Sequence, residues 1–138
     1  MMFLQFAVWG AWSPVLAARL LGPLKMSGKQ TGWIYGTVYL GCIISPLIAG
    51  QIVDRWIATQ WFLAGAHLVG GVLLLVAAGR KTFRILMVVM GLYSLAYAPT
   101  LALVNSLMFR HLARAGVSSF AVFVWGVVGW VLAGWGLA

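Results

Sequence analysis

Tyr97 and Thr100 stand three residues apart in a long apolar stretch, and Leu101 and Asn105 follow at helical spacing. On a helix that spacing puts polar groups on adjoining faces. Where water is absent each such group is costly unless something hydrogen-bonds it, so the set suits a lining that grips a small polar solute. Gln5, Thr37 and Ser94 are groups of the same kind in other apolar stretches. Trp9, Trp12, Tyr93 and Trp130 could stack on a planar ring, and would equally suit lipid contact or an interfacial belt. His67 is the one ionisable residue well inside an apolar run. It reads either as a proton relay or solute partner, or as a neutral imidazole satisfied by a carbonyl or hydroxyl on a neighbouring helix.

Other chemistry is hard to assemble. Asp54 is the single acidic residue, set beside Arg55 and Trp56, and His111 lies after the fourth apolar run. From these no metal-ligand cluster, catalytic triad or phosphate-binding loop can be built, so neither an enzyme nor a metal or cofactor is expected. The nine basic residues do not form a nucleic-acid patch. They fall between apolar runs, at Arg19, Lys25, Lys29, Arg55, Arg80, Lys81, Arg84, Arg110 and Arg114, as residues confined to membrane surfaces do. Nucleic acid is not an expected partner; the lipid bilayer is.

The elements that must position these residues follow from composition. Hydrophobic residues make up 64% of the chain and charged ones 7%, against about 25% charged in a soluble domain. A small soluble domain leaves about a third of its chain surface in water and could not hide so much apolar area. Five runs approach the roughly 20 residues that cross a bilayer as a helix: 3–21, 31–53, 59–79, 85–108 and 120–138. The expected fold is an all-α membrane protein of four to five transmembrane helices, with short links that make successive helices antiparallel. The first run lacks the basic start of a signal peptide. The single Cys42 allows no internal disulfide.

Three runs carry an internal proline, Pro14, Pro46 and Pro99, each removing a backbone hydrogen bond that neighbours in a membrane must replace. Gly32 and Gly36 form a GxxxG along which another helix could approach. Residues 11–17 read Ala-Trp-Ser-Pro-Val-Leu-Ala and residues 96–102 Ala-Tyr-Ala-Pro-Thr-Leu-Ala. The pattern is a chance of composition or an inverted repeat of the kind that builds secondary transporters. With the N-terminus cytoplasmic, the outer links would hold six basic residues and the inner ones three. That count, taken alone, favours an external N-terminus.

Several of these segments resemble bacterial nucleoside:proton symporters of the major facilitator superfamily. Phe3-Leu4-Gln5-Phe6 with Trp9-Gly10-Ala11-Trp12 looks like their first helix. Residues 50–56, Gly-Gln-Ile-Val-Asp-Arg-Trp, resemble the superfamily signature between helices 2 and 3. Residues 94–106, from Ser94 through Tyr97, Pro99 and Thr100 to Asn105 and Ser106, are similar to the fourth helix. His67 falls where the family tends to have histidine, and Trp125-Gly126-Val127-Val128-Gly129-Trp130 resembles the start of the fifth helix. In the family that motif carries an arginine and a threonine where Phe123 and Val127 stand here.

The resemblance implies part of an N-terminal six-helix bundle, 1–138, of a multi-pass transporter in the cell inner membrane with a cytoplasmic N-terminus. It implies symport of a nucleoside or similar small polar solute with protons, by a chain whose C-terminal part is missing and which is inactive alone. The expected lining is Gln5, Trp9, Tyr97, Thr100, Asn105 and Trp130; Gly50, Asp54 and Arg55 form a structural motif; His67 is a possible relay. The rival expectation is a small autonomous membrane subunit or scaffold that oligomerises and transports nothing.

Overall fold

Lipid offers the backbone no hydrogen bonds, so an apolar run that enters it must satisfy its own N–H and C=O groups, which a helix does. The computed structural model describes residues 1–115 and 118–137. They form five helices: α1 Met2–Leu21, α2 Gly28–Arg55, α3 Thr59–Gly79, α4 Phe83–Ala115 and α5 Ser119–Leu137. Among the described residues four helices are long and apolar enough to cross a membrane, within Gly28–Val53, Thr59–Gly79, Phe83–Leu112 and Ser119–Gly136. The protein is therefore a multi-pass membrane protein. α1 carries Gln5, Ser13 and Arg19 along an otherwise apolar run and buries one face, including Gln5, Trp12, Leu16 and Leu20.

Two helices begin or end away from the boundaries the apolar runs suggest. α2 starts at Gly28 rather than residue 31 because Ser27 closes a capping box. The Gln30 N–H donates to Ser27 Oγ over 3.2 Å, and the Ser27 N–H donates to Gln30 Oε1 over 3.0 Å. The box satisfies two donors that would otherwise be orphaned and draws Lys29 into the first helical turn. α4 continues to Ala115, not residue 108. At 1.5 Å per residue it is about 50 Å long, well beyond a hydrocarbon core of about 30 Å. Arg110 thus stands on helix instead of in a link.

The chain divides into two units, Met1–Lys25 with Val104–Ala138, and Met26–Leu103. In the first, α1 lies against α5 along glycines. A methyl group at Gly10 would run into the backbone carbonyl of Trp130, one at Gly129 into Phe3, and one at Gly126 would stand 3.2 Å from the Phe6 ring. Pro14 has no N–H to offer the Gly10 carbonyl, and that oxygen faces Gly134, where an added methyl would be 3.4 Å away. Close approach by glycine is the usual device of lipid-embedded helix pairs. Gly32 and Gly36, the GxxxG expected to serve this purpose, have nothing within 4 Å of the place a side chain would take.

In the second unit α2 and α4 run parallel and touch at Gly41, where a methyl group would collide with the Ser94 side chain. Ser94 Oγ is directed at two carbonyls, Gly91 O at 2.7 Å on its own helix and Thr37 O at 3.1 Å on α2. Gly41→Ala is expected to cost about 1–3 kcal/mol, the usual range for overpacking, and Ser94→Gly to restore part of it. A double-mutant cycle read by denaturant melting in detergent should give a coupling of about 1 kcal/mol or more; additive costs would show that the two positions do not meet.

Candidate functional site

Within the second unit the sequence candidates gather around one turn of α4. Tyr93 and Tyr97, four apart, are both buried and stack with ring centroids 5.3 Å apart and planes 12° from parallel. His67 on α3 meets Tyr97 edge-on, 6.0 Å between centroids at 76°. α3 comes close enough because Gly70, one turn beyond His67, leaves 3.3 Å to the Tyr93 ring. Thr100 is fully buried and donates its hydroxyl proton to the Tyr97 carbonyl over 2.6 Å. Its part toward a solute is thereby limited to its oxygen lone pairs.

His67 Nδ1 lies 2.8 Å from the carbonyl of Leu63, one turn back on its own helix. A carbonyl only accepts, so Nδ1 carries the proton, and in a neutral ring Nε2 is then the acceptor. One partner of the ring is thus on its own helix. Histidine, two stacked tyrosines and a threonine locked to the backbone make a rigid aromatic wall.

The first unit holds the other candidates. Gln5 is buried on α1. Trp9 is half-buried and tilts against Phe6, 6.2 Å away. Trp130 is 38% exposed on α5, and its backbone is the surface on which Gly10 rests. Asn105 is half-buried on α4, with its Oδ1 enclosed and no hydrogen-bond partner among the described residues. A buried amide oxygen left so is costly and is the kind of group a solute donor would satisfy. The candidates therefore fall into two sets, Gln5, Trp9, Asn105 and Trp130 in one unit and His67, Tyr97 and Thr100 in the other, with α4 carrying members of both.

At the positions where the resembled family has arginine and threonine, the chain uses apolar packing. Phe123 tilts against Phe109 of α4, ring centroids 6.3 Å apart, and Val127 is largely exposed. In the helix 2–3 signature, Gly50 has open space beside it and Arg55 is exposed in the last turn of α2, where a cation suits the helix dipole. The Asp54 side chain lies outside what the structure describes. A groove of 540 Å³ between α2, α3 and α4, with walls such as Ile48, Ile52, Trp61 and Phe62, contains none of the sequence candidates. Tyr93 and Ser94, weighed from sequence only as one aromatic and one polar residue among several, prove to be central. Their signal is the helical spacing to Tyr97 and to Gly91.

Residues 1–138, the whole chain, match the nucleoside H+ symporter family. The chain belongs to that family. Among relatives of this chain, the nucleoside permease NupG of Escherichia coli is 31% identical over 137 residues, covering 96% of this chain and 33% of that protein. The xanthosine permease of Escherichia coli is 32% identical over 142 residues, covering 100% and 34%. The crystal structure of a point variant of NupG matches with a TM-score of 0.88 at 31% identity, over 99% of this chain and 35% of that one. The NupG crystal structure without that substitution matches at 0.82. This symporter-family chain thus has the helical fold of a major facilitator transporter and spans about a third of the length of the relatives it matches.

Proposed function

We propose that this chain supplies part of a nucleoside:proton symporter of the cell inner membrane and forms part of its N-terminal helical bundle. The observation that carries the proposal is the match of all 138 residues to the family, at a TM-score of 0.88 to NupG. On this reading the protein moves its solute without altering it, and is no enzyme. Tyr97, packed with Tyr93 and His67, belongs to the aromatic wall of the lining. Within the first unit, Asn105 Oδ1 and the amide of Gln5 are groups that would hydrogen-bond polar edges of a solute, and Trp9 and Trp130 are rings that would contact it. Thr100 holds the backbone beside Tyr97, and His67 accepts and returns a proton. Gly50, Asp54 and Arg55 shape the turn from α2 to α3. Phe123 and Val127 make the site more apolar than arginine and threonine would, which favours the base over the sugar as the part that is gripped.

A chimera tests the proposal, with this chain replacing the matching third of NupG. In cells lacking their own nucleoside transporters it is expected to accumulate radiolabelled nucleoside, and a protonophore should abolish the accumulation. The 138-residue chain alone in proteoliposomes is expected to accumulate none. A chimera that reaches the membrane in normal amount and takes up no nucleoside would overturn the proposal.

A further inference from the structure

We propose that the α2–α4 groove of the second unit is a binding site for one anionic phospholipid, with the phosphate held by Lys29 and Arg84 and an acyl chain laid along the groove. The groove has a volume of 280 Å³ and runs between Thr37–Ile44 of α2 and Val88–Leu95 of α4. Its floor is set by the close approach of Gly41 to Ser94 and of Gly91 to Thr37, and walls such as Leu40, Ile44, Val88 and Leu92 are exposed.

The charges sit at the head of the same two stripes. Along α4, Arg84, Val88, Gly91 and Leu95 follow at intervals of four, three and four, and along α2, Lys29, Trp33, Thr37, Leu40 and Ile44 follow at intervals of four, four, three and four. Each series lies on one helix face. Thr37 pairs with Gly91 and Gly41 with Ser94, and this parallel register brings Lys29 level with Arg84. Both are exposed, and Trp33 beside them is 60% exposed, as an aromatic at the headgroup level is. From Arg84 to Leu95 the stripe rises about 16 Å, about one leaflet of a hydrocarbon core about 30 Å thick.

An anion is what this end of the unit lacks. Lys29 and Arg84 occupy the first turns of α2 and α4, neither of which has an acidic residue. A cation there opposes the helix dipole. Arg80 and Lys81 add two more positive charges in the link before α4, while the chain's one acid, Asp54, is at the far end of α2. A phosphate at this place would relieve both helix starts and the charges of Lys29 and Arg84. A zwitterionic lipid would bring its own ammonium into the cluster, so the charge favours an anionic headgroup.

Native mass spectrometry of the full 138-residue chain, purified from vesicles of phosphatidylethanolamine with phosphatidylglycerol, tests this. The chain is expected to retain one phosphatidylglycerol in preference to phosphatidylethanolamine. The pair K29Q/R84Q should lower retention about thirtyfold, in line with about 1 kcal/mol for each basic residue near an anionic surface. The pair R55Q/R110Q, which removes the same charge at the far ends of α2 and α4, should not. Leu92→Trp, which fills the groove from an exposed position, should lower retention with all charges in place. Equal losses in the two charge pairs, retention unchanged in Leu92→Trp, or no lipid retained by the wild-type chain would each overturn the proposal.

Discussion

Gly10→Val is expected to part α1 from α5 and to be the most destabilising single change in this chain. The added side chain would meet the backbone carbonyl of Trp130, and backbone, unlike the end of a flexible side chain, cannot swing aside. Overpacking costs about 1–3 kcal/mol where neighbours can yield, so a loss of about 3 kcal/mol or more is expected here. Gly32→Val is the matching control, because nothing lies within 4 Å of that position; it should change stability by about 0.5 kcal/mol or less. Titration with a denaturing detergent, followed by tryptophan fluorescence, compares the two. If the variants lose the same amount, the glycine contact between α1 and α5 does not hold the unit together.

Tyr97→Ala is expected to have the largest effect on transport. Aromatic contact with a base is worth about 1–3 kcal/mol, and the ring also holds Tyr93 and His67 in place, so in the chimera the nucleoside KM should rise by about ten- to a hundredfold. Tyr97→Phe keeps the ring face that stacks on Tyr93 and meets His67, and should stay within a few-fold of the parent. Removing a buried ring also leaves a cavity, so uptake must be scaled to the amount of folded protein in the membrane. A KM that does not move in Tyr97→Ala, with protein present, would remove Tyr97 from the lining and leave it a packing role.

The apolar runs made the existence of the helices legible, since runs of about 20 residues fit a spanning helix and are too long for the strands of a barrel. Their ends were less legible. Ser27 and Gln30 form a capping box that lies before the apolar run, so hydropathy alone does not mark it. Arg110 looked like link because it is charged, although arginine is a good helix former and α4 simply runs on past the lipid.

The candidate site was legible in kind and not in arrangement. Tyr97, Thr100 and His67 come together because Gly70 lets α3 approach α4, and no spacing within α3 announces that. The same holds for Gly10, Gly126, Gly129 and Gly134. They do their work through a partner helix distant in sequence, whereas Gly32 and Gly36 had the better-known spacing and no partner in the described chain. The hydroxyl of Thr100 and the imidazole of His67 are each tied to a carbonyl one turn back on their own helix, a partner that residue type alone does not reveal.

Where Pro14 interrupts the backbone ladder, α1 has its natural bending point, and there the helix is clamped to Gly134 and the Trp130 backbone of α5. A rod seized at its weakest joint cannot flex by itself. A bend of α1 at this point would have to displace the Trp130 backbone, so the contact with α5 resists it.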